Sequence, residues 1–109
     1  MARKIVEAVT DKKGFDVVVL DIRPVSLLAD YFVIASSATE RQTKAILEEV
    51  VSTMEELGSP PLHIEGEPNS GWVLIDHGDV IVHLFTPEMR QYYQLEELWS
   101  DAKLVVKIQ

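Results

Sequence analysis

The amino-acid sequence predicts a single α+β or mixed α/β domain over residues 1–109, with one mixed sheet of about five strands covered by helices. The first indication is length, because about 100–200 residues usually make one domain. The second is composition, since 47% of the residues are apolar and this suffices for one hydrophobic core. The third is the order of the predicted elements, α-β-β-α-β-β-β-α, which favours one sheet packed against helices.

The first part of the chain is predicted to form a helix and two strands. Residues 2–13 have helical periodicity, and Gly14 is expected to end this helix in a left-handed conformation. Residues 15–22 contain an uninterrupted run of aliphatic, mostly β-branched side chains, which is typical of a strand buried on both faces. Residues 31–35 form a second β-rich run.

A long helix is predicted for residues 37–57. Ser37 can cap its first turn, and Glu40 stands three residues later, as in a capping box. Gly58 and the prolines that follow it should end the helix. An apolar stripe is expected to face the sheet, and it consists of Ile46, Leu47, Val50, Val51, Met54 and Leu57.

The second half of the chain is predicted to be mostly strand. Residues 62–66 form a short strand, and residues 72–77 and 80–85 form a hairpin. Residues 91–99 have the pattern of a short final helix, and the apolar tail at 104–108 could add an edge strand.

The two faces of the predicted hairpin differ in chemistry. If residues 77–78 are its whole loop, Asp76 lies opposite Asp79 and Trp72 lies opposite His83. One face is then wholly aliphatic and must belong to the core: Val73, Ile75, Val80, Val82 and Leu84. The other face is apolar at its base and acidic at its tip, and it supplies the candidate partner-binding residues Trp72, Leu74, Asp76, Asp79, Ile81 and His83.

Two interpretations of this second face remain open. Like charges opposite each other destabilise a sheet, so an acidic tip beside Trp72 and Leu74 indicates a binding site for a basic, partly apolar protein surface. Alternatively, a helix covers this face and the two aspartates only cap the turn. A one-residue change in loop length would regroup the two faces.

The net charge restricts the partners that the chain can bind. With a formal charge of −8, the chain is repelled by bare nucleic acid and by anionic membranes, so a role beside nucleic acid would require a basic protein partner. The acidity could equally serve only solubility. The chain has no cysteine, which excludes disulfides and thiolate metal sites. No signal peptide or membrane span is expected, and a cytoplasmic location fits.

The candidates for catalysis lack complete motifs. His63 and Glu65 would share one face of a strand, but no HExxH spacing is present. Ser36 and Ser37 lack the Gly-x-Ser-x-Gly surroundings of a hydrolase. Five aspartates stand at predicted strand ends, where two-metal carboxylates often occur: Asp16, Asp21, Asp30, Asp76 and Asp79. Because no glycine-rich phosphate loop accompanies them, no enzymatic activity, cofactor or metal is expected.

Segments with a specific order and spacing run through almost the whole chain. They are Val18-Val-Leu-Asp-Ile22, Ala29-Asp-Tyr-Phe-Val-Ile34, Ser37 with Arg41-Gln42, His63-Ile-Glu-Gly66, Trp72, Asp76-His-Gly-Asp-Val-Ile-Val-His83, Arg90, Tyr93, Leu95-Glu96 and Leu98-Trp-Ser-Asp-Ala102. Together they resemble the ribosomal silencing factor family, also called Iojap-like.

This resemblance implies a function and a fold. It implies a factor that docks on the large ribosomal subunit, at ribosomal protein number fourteen, and prevents the small subunit from joining when nutrients are scarce. The implied fold is similar to the nucleotidyltransferase superfold, but the chain lacks that superfold's Gly-Ser start and acidic pair. The docking surface of the family would fall on Trp72, Asp76, Asp79 and their neighbours.

Two other classes of function remain open beside a ribosome-docking factor. One is a metal-dependent nucleotidyltransferase whose motif has drifted, which binding of nucleotide and Mg²⁺ would reveal. The other is a generic dimerisation or adaptor domain, and exposed apolar residues on the hairpin would favour a homodimer of the free protein. Co-sedimentation with large subunits separates the first class from both alternatives.

Overall fold

Helices pack on both faces of one six-stranded sheet in the computed structural model, which describes residues 2–27, 29–98 and 102–108. The strands are β1 (Phe15–Asp21), β2 (Tyr31–Ser36), β3 (His63–Glu65), β4 (Trp72–Asp76), β5 (Val80–Phe85) and β6 (Lys103–Ile108). The helices are α1 (Ala2–Asp11), α2 (Glu40–Glu56), α3 (Pro87–Tyr93) and α4 (Leu95–Leu98), and a 3₁₀ turn spans Pro68–Ser70. None of these described helices is long and apolar enough to cross a membrane.

The sheet is mixed, as the sequence predicted. Its strand order is β3-β4-β5-β2-β1-β6, in which β2 and β5 run parallel and every other neighbouring pair is antiparallel. The described residues form six strands instead of about five, because the apolar tail pairs with β1 and becomes the edge strand β6.

Two hydrophobic cores lie on opposite faces of the sheet. The first core lies on the face covered by α1 and α2, and it includes Val9, Val50 and Val33. The second core lies on the other face, where residues such as Phe85 of β5 pack with Met89 of α3. The strand β1 contributes to both cores, which confirms that it is buried on both faces.

The end of α1 differs from the prediction in one residue. Lys13 adopts the left-handed conformation, with φ of 70°, and Gly14 does not. Gly14 instead allows close packing, because a Cβ at this position would lie 2.9 Å from the carbonyl oxygen of Val9. The glycine is therefore needed because the chain passes close to Val9 of α1 and Ile46 of α2, and not for a left-handed turn.

The start of α2 is also later than predicted. Thr39 is the N-cap, and its hydroxyl accepts a hydrogen bond of 3.1 Å from the amide of Gln42. Ser37 is not the cap, because its amide still donates to the carbonyl of Phe85 and its buried hydroxyl bonds that of Thr43. The Gln42 side chain donates to the Lys13 carbonyl at 3.0 Å, so it ties the end of α1 to the start of α2.

The apolar stripe of α2 is confirmed in its centre and wrong at its end. Ile46, Val50 and Met54 are fully buried against the sheet. Leu57 is 44% exposed because the helix ends at Glu56 and Leu57 is only its C-cap. The stripe is therefore one turn shorter than the sequence indicated.

The final helix is divided into two short helices. Thr86 caps α3, and Pro87 occupies the first turn, where its missing N–H costs nothing. Gln94 takes a left-handed conformation, with φ of 47°, and so separates α3 from α4. Trp99, the last residue of the predicted helix, lies outside the described residues.

Replacement of Val50 by Asp should destabilise the protein strongly. Val50 is fully buried, so Val50→Asp places an unpaired charge in the first core and should lower the free energy of unfolding by about 3 kcal/mol or more. Urea denaturation measures this loss. Glu48 is exposed on the same helix, so Glu48→Lys is the matched control and should unfold near the wild-type midpoint. Equal midpoints for the two variants would contradict the orientation of α2.

Candidate functional site

The hairpin of β4 and β5 keeps its predicted faces, but its turn lies one residue later than predicted. Trp72 pairs with Phe85, and Asp76 pairs with Ile81. The predicted pairing of Trp72 with His83 is therefore wrong by two residues. Because side chains alternate with a period of two, an even shift leaves the same residues on each face.

The two aspartates of the hairpin tip do not oppose each other. The carboxylate of Asp76 accepts a 2.7 Å hydrogen bond from the amide of Gly78, so it caps the turn. The side chain of Asp79 is exposed, while its carbonyl accepts hydrogen bonds from the amides of Asp30 and Tyr31 at 2.8 and 3.1 Å. The predicted like-charge pair is therefore absent, although both carboxylates remain at the tip.

The helices α3 and α4 cover the β5 side of the second hairpin face, and on β4 Tyr93 of α3 contacts Trp72. Ile81 is 9% exposed and His83 is 3% exposed, so these two candidate residues cannot contact a partner directly in this conformation. On β4, Trp72 and Leu74 are half-buried, and Asp76 is half-buried beyond them. The face is thus covered on β5 and partly accessible on β4, and a binding role for its open part stays a prediction.

Trp72 joins the open part of the face to the second core. Its ring stacks on Phe85 with centroids 5.0 Å apart, and it lies 4.6 Å from the ring of Tyr93. Its indole N–H donates a hydrogen bond of 3.2 Å to Nδ1 of His83. The orientation of the indole is therefore set by contacts on several sides, while part of it stays accessible.

His83 lies in the second core as a neutral imidazole. Burial lowers the pKa of His83 from 6.5 to about 4, because no water can solvate the charged ring. Since Nδ1 accepts from Trp72, the neutral ring carries its proton on Nε2. That buried nitrogen has no hydrogen-bond partner in the part of the chain that the structure describes.

The strand β3 adds residues to this surface beyond those of the hairpin. His63 is paired with Asp76 and Glu65 with Leu74, so both side chains continue the same face. The Glu65 carboxylate lies 2.7 Å from Nε2 of His63. Glu65, Trp72 and Leu74 line a shallow cleft of about 200 Å³. The alternation of His63 and Glu65 in the sequence indicates this shared face as well as the metal-binding pattern considered above.

The aspartates considered for metal chemistry are distributed over different sites. Asp21 forms a bidentate ion pair with Arg23 at 2.6 and 2.9 Å, and this pair lowers the pKa of Asp21 to about 2. Asp16 lies at the other end of the same strand. No group of three or more His, Asp or Glu side chains suited to a metal occurs within residues 2–27, 29–98 and 102–108.

The two serines weighed for catalysis bond to other side chains. The Ser36 hydroxyl accepts from Arg90 at 2.9 Å, and Arg90 also binds Glu96 at 2.8 Å. The hydroxyl of Ser37 bonds Thr43. These contacts connect α3, α4 and α2 to the end of β2, so both serines act in the packing of helices onto the sheet.

The fold and the site define a three-layer α/β domain with an aromatic and acidic surface at one side of its sheet. A family model described as "Ribosomal silencing factor during starvation" matches residues 1–109. The chain therefore belongs to the ribosomal silencing factor family.

Individual relatives agree with this assignment. "Ribosomal silencing factor RsfS" of Halalkalibacterium halodurans is 45% identical over 100 residues, covering 92% of this chain and 86% of the relative. A crystal structure of a Chromobacterium violaceum protein is similar with a TM-score of 0.87 and 35% identity, over 91% of this chain and 82% of that one. The mouse protein "Mitochondrial assembly of ribosomal large subunit protein 1" is 31% identical over 99 residues, and the match spans 88% of this chain but only 43% of the mouse protein.

The burial of His83 should make the stability of the protein depend on pH. Unfolding restores the ordinary pKa of 6.5, so the unfolded chain binds a proton between pH 6.5 and about 4 that the folded protein does not bind. Stability from this group is complete above pH 6.5, falls as the pH decreases to about 4, and is then constant. The full loss is on the order of 3 kcal/mol.

Urea denaturation at several pH values measures this dependence. The variant His83→Gln keeps an acceptor for the Trp72 indole but cannot titrate, so its stability should decline less than that of the wild type over this range. The difference between the two profiles removes the contribution of the other acids. Profiles that stay parallel would show that His83 is not the group responsible.

Proposed function

We propose that this protein is a translational repressor that docks on the large ribosomal subunit and blocks association with the small subunit. The observation that carries the proposal is the match of residues 1–109 to the silencing-factor family. The name of the mouse relative, which refers to the large subunit, supports the choice of that subunit. A cytoplasmic location is part of this proposal, and the bacterial relative that is 45% identical to this chain supports it.

The proposed docking surface is the open part of the sheet, formed by Trp72, Leu74, Asp76, Asp79 and Glu65. Its carboxylates favour a basic surface, and its aromatic and aliphatic groups favour one that is partly apolar. The net charge of −8 opposes direct contact with ribosomal RNA. A basic ribosomal protein therefore fits best, and the family resemblance indicates ribosomal protein number fourteen.

The proposed mechanism is steric and needs no catalysis. A domain bound where the small subunit must approach prevents joining by occupying that space, so its effect depends only on affinity and concentration. In the free protein, the same partly apolar surface would favour a homodimer. This homodimer would have to dissociate before the protein docks on the ribosome. We therefore propose a binding protein and not an enzyme.

The purified protein should sediment with large subunits and not with small subunits. Sucrose gradients with excess subunits at low salt test this directly, and added protein should lower the yield of joined ribosomes when both subunits are mixed. An unrelated protein of similar size and charge is the control. Recovery of the protein only at the top of the gradient under these conditions would refute the proposal.

Substitutions on the docking surface should affect different rate constants. Asp76→Asn with Asp79→Asn should slow association with large subunits, most strongly at low salt, because the negative charge at the hairpin tip steers the encounter. Trp72→Ala should raise the dissociation rate and weaken affinity by about thirtyfold, since an aromatic contact typically contributes 2 kcal/mol or more. Binding kinetics on immobilised large subunits measure both effects across a salt series.

Two controls separate binding from folding in this experiment. Glu48 and Glu55 are exposed on α2, on the opposite side of the sheet, so Glu48→Gln with Glu55→Gln removes the same charge elsewhere and should bind like the wild type. Thermal melts of Trp72→Ala detect lost stability, because Trp72 also packs on Phe85 and bonds His83. Normal binding by the aspartate variant, together with unfolding of Trp72→Ala, would mean that docking occurs elsewhere.

A further inference from the structure

Three large apolar side chains are exposed at the end of the sheet where the hairpin tip lies. Leu27 is fully exposed, Leu62 is 76% exposed and Val25 is 40% exposed. Scattered exposed apolar residues are common in proteins, but these three belong to two loops that meet the same end of the sheet. Their position relative to the acidic tip therefore decides whether they form one surface.

Hydrogen bonds connect both loops to the hairpin tip. The amide of Leu62 donates to the carbonyl of Asp76 at 2.8 Å. The Leu62 side chain also lies close to Gly78, because a Cβ added to Gly78 would be 3.3 Å from Cδ1 of Leu62. On the other side, the amide of Asp30 donates to the carbonyl of Asp79 at 2.8 Å. The strand order then places Asp79 and Asp30 between Leu62 and the loop that carries Leu27.

The loop that carries Leu27 is held in place at its base. The amide of Ile22 donates to the carbonyl of Asp30 at 3.0 Å, and the amides of Val25 and Ser26 donate to the carbonyl of Ile22 at 3.0 and 2.8 Å. Ile22 and Ala29 are buried on either side of the exposed residues. The backbone near Leu27 is therefore partly ordered before any partner binds, which lowers the entropic cost of a contact.

We propose that Leu27 and Leu62, with the Asp30 and Asp79 carboxylates between them, form a second contact surface for the basic ribosomal protein bound by the β4 face. This inference rests on the proposed function. The charge of the surface selects the partner: Asp30 and Asp79 are exposed, so they attract Lys and Arg and repel RNA phosphates. The apolar side chains add contact area that only a protein surface with aliphatic or aromatic groups would bury.

Leu27 allows a test that does not disturb folding. Because its side chain is fully exposed, Leu27→Ser should leave the melting temperature unchanged. If Leu27 becomes buried on docking, the same substitution should raise Kd for purified large subunits by about tenfold or more. Leu62→Ser should also weaken binding, and the double variant should bind more weakly than either single variant.

A matched control lies at the opposite end of the sheet. Ile108 is 39% exposed and pairs with Val17, where β1 begins, so Ile108→Ser removes apolar surface far from the hairpin tip. This variant should bind large subunits like the wild type. If Leu27→Ser and Leu62→Ser also bind like the wild type, the inference is wrong while the proposed docking on large subunits stands.

Cross-linking identifies the molecule that Leu27 touches. The chain has no cysteine, so Leu27→Cys provides one labelling site for a benzophenone maleimide attached before mixing with purified large subunits. A cross-link to a basic ribosomal protein is expected, and a cross-link to ribosomal RNA or none at all would overturn the inference. A wild-type protein that did not bind subunits would overturn the proposed function, and this inference with it.

Discussion

Burial of the central strands on both faces is the constraint on which the rest of this structure depends. All six residues of β5 are buried, as are five of the six in β2. Such strands are stable in water only when other elements cover both faces of the sheet. The first half of the chain supplies α1 and α2 for one face, and α3 and α4 cover part of the other. This cover ends beyond β5, where β4 alternates between buried and half-buried residues and β3 is exposed. The candidate site lies where the helical cover ends.

Much of the fold could be predicted because apolar runs and alternation are local properties of the sequence. Several ends of elements could not, since some of them depend on partners that are distant along the chain. In the hairpin, the carbonyl of Asp79 accepts hydrogen bonds from the amides of Asp30 and Tyr31, and these bonds fix the hairpin turn against the start of β2. The amide of His77 donates to the carbonyl of Val80 and closes the turn, which therefore lies one residue later than the sequence predicted. The predicted faces are still correct, because a shift of two residues preserves alternation.

The chemistry of the site could be predicted more reliably than its exposure. The residues that share the second face were identified correctly, but whether a helix covers them depends on the docking of α3 and α4. Their residues Met89 and Leu95 pack in the second core with Ile81. Exposure of Leu27 and Leu62 depends in the same way on the surrounding fold. A hydrophobic residue in a loop has no local signal that distinguishes a buried side chain from an exposed one.

The connection between Trp72 and the core has a consequence for recognition. The indole packs on Phe85 and Tyr93 and donates to His83, so binding a partner would order few new degrees of freedom at this residue. The same contacts mean that a change at Trp72 alters stability and affinity together. The residues Asp79 and Leu27, by contrast, are exposed to solvent, and Leu27 is fully so. Evolution of partner choice would therefore be easiest at the hairpin tip and its neighbouring loop, while the aromatic part of the surface is constrained by the core beneath it.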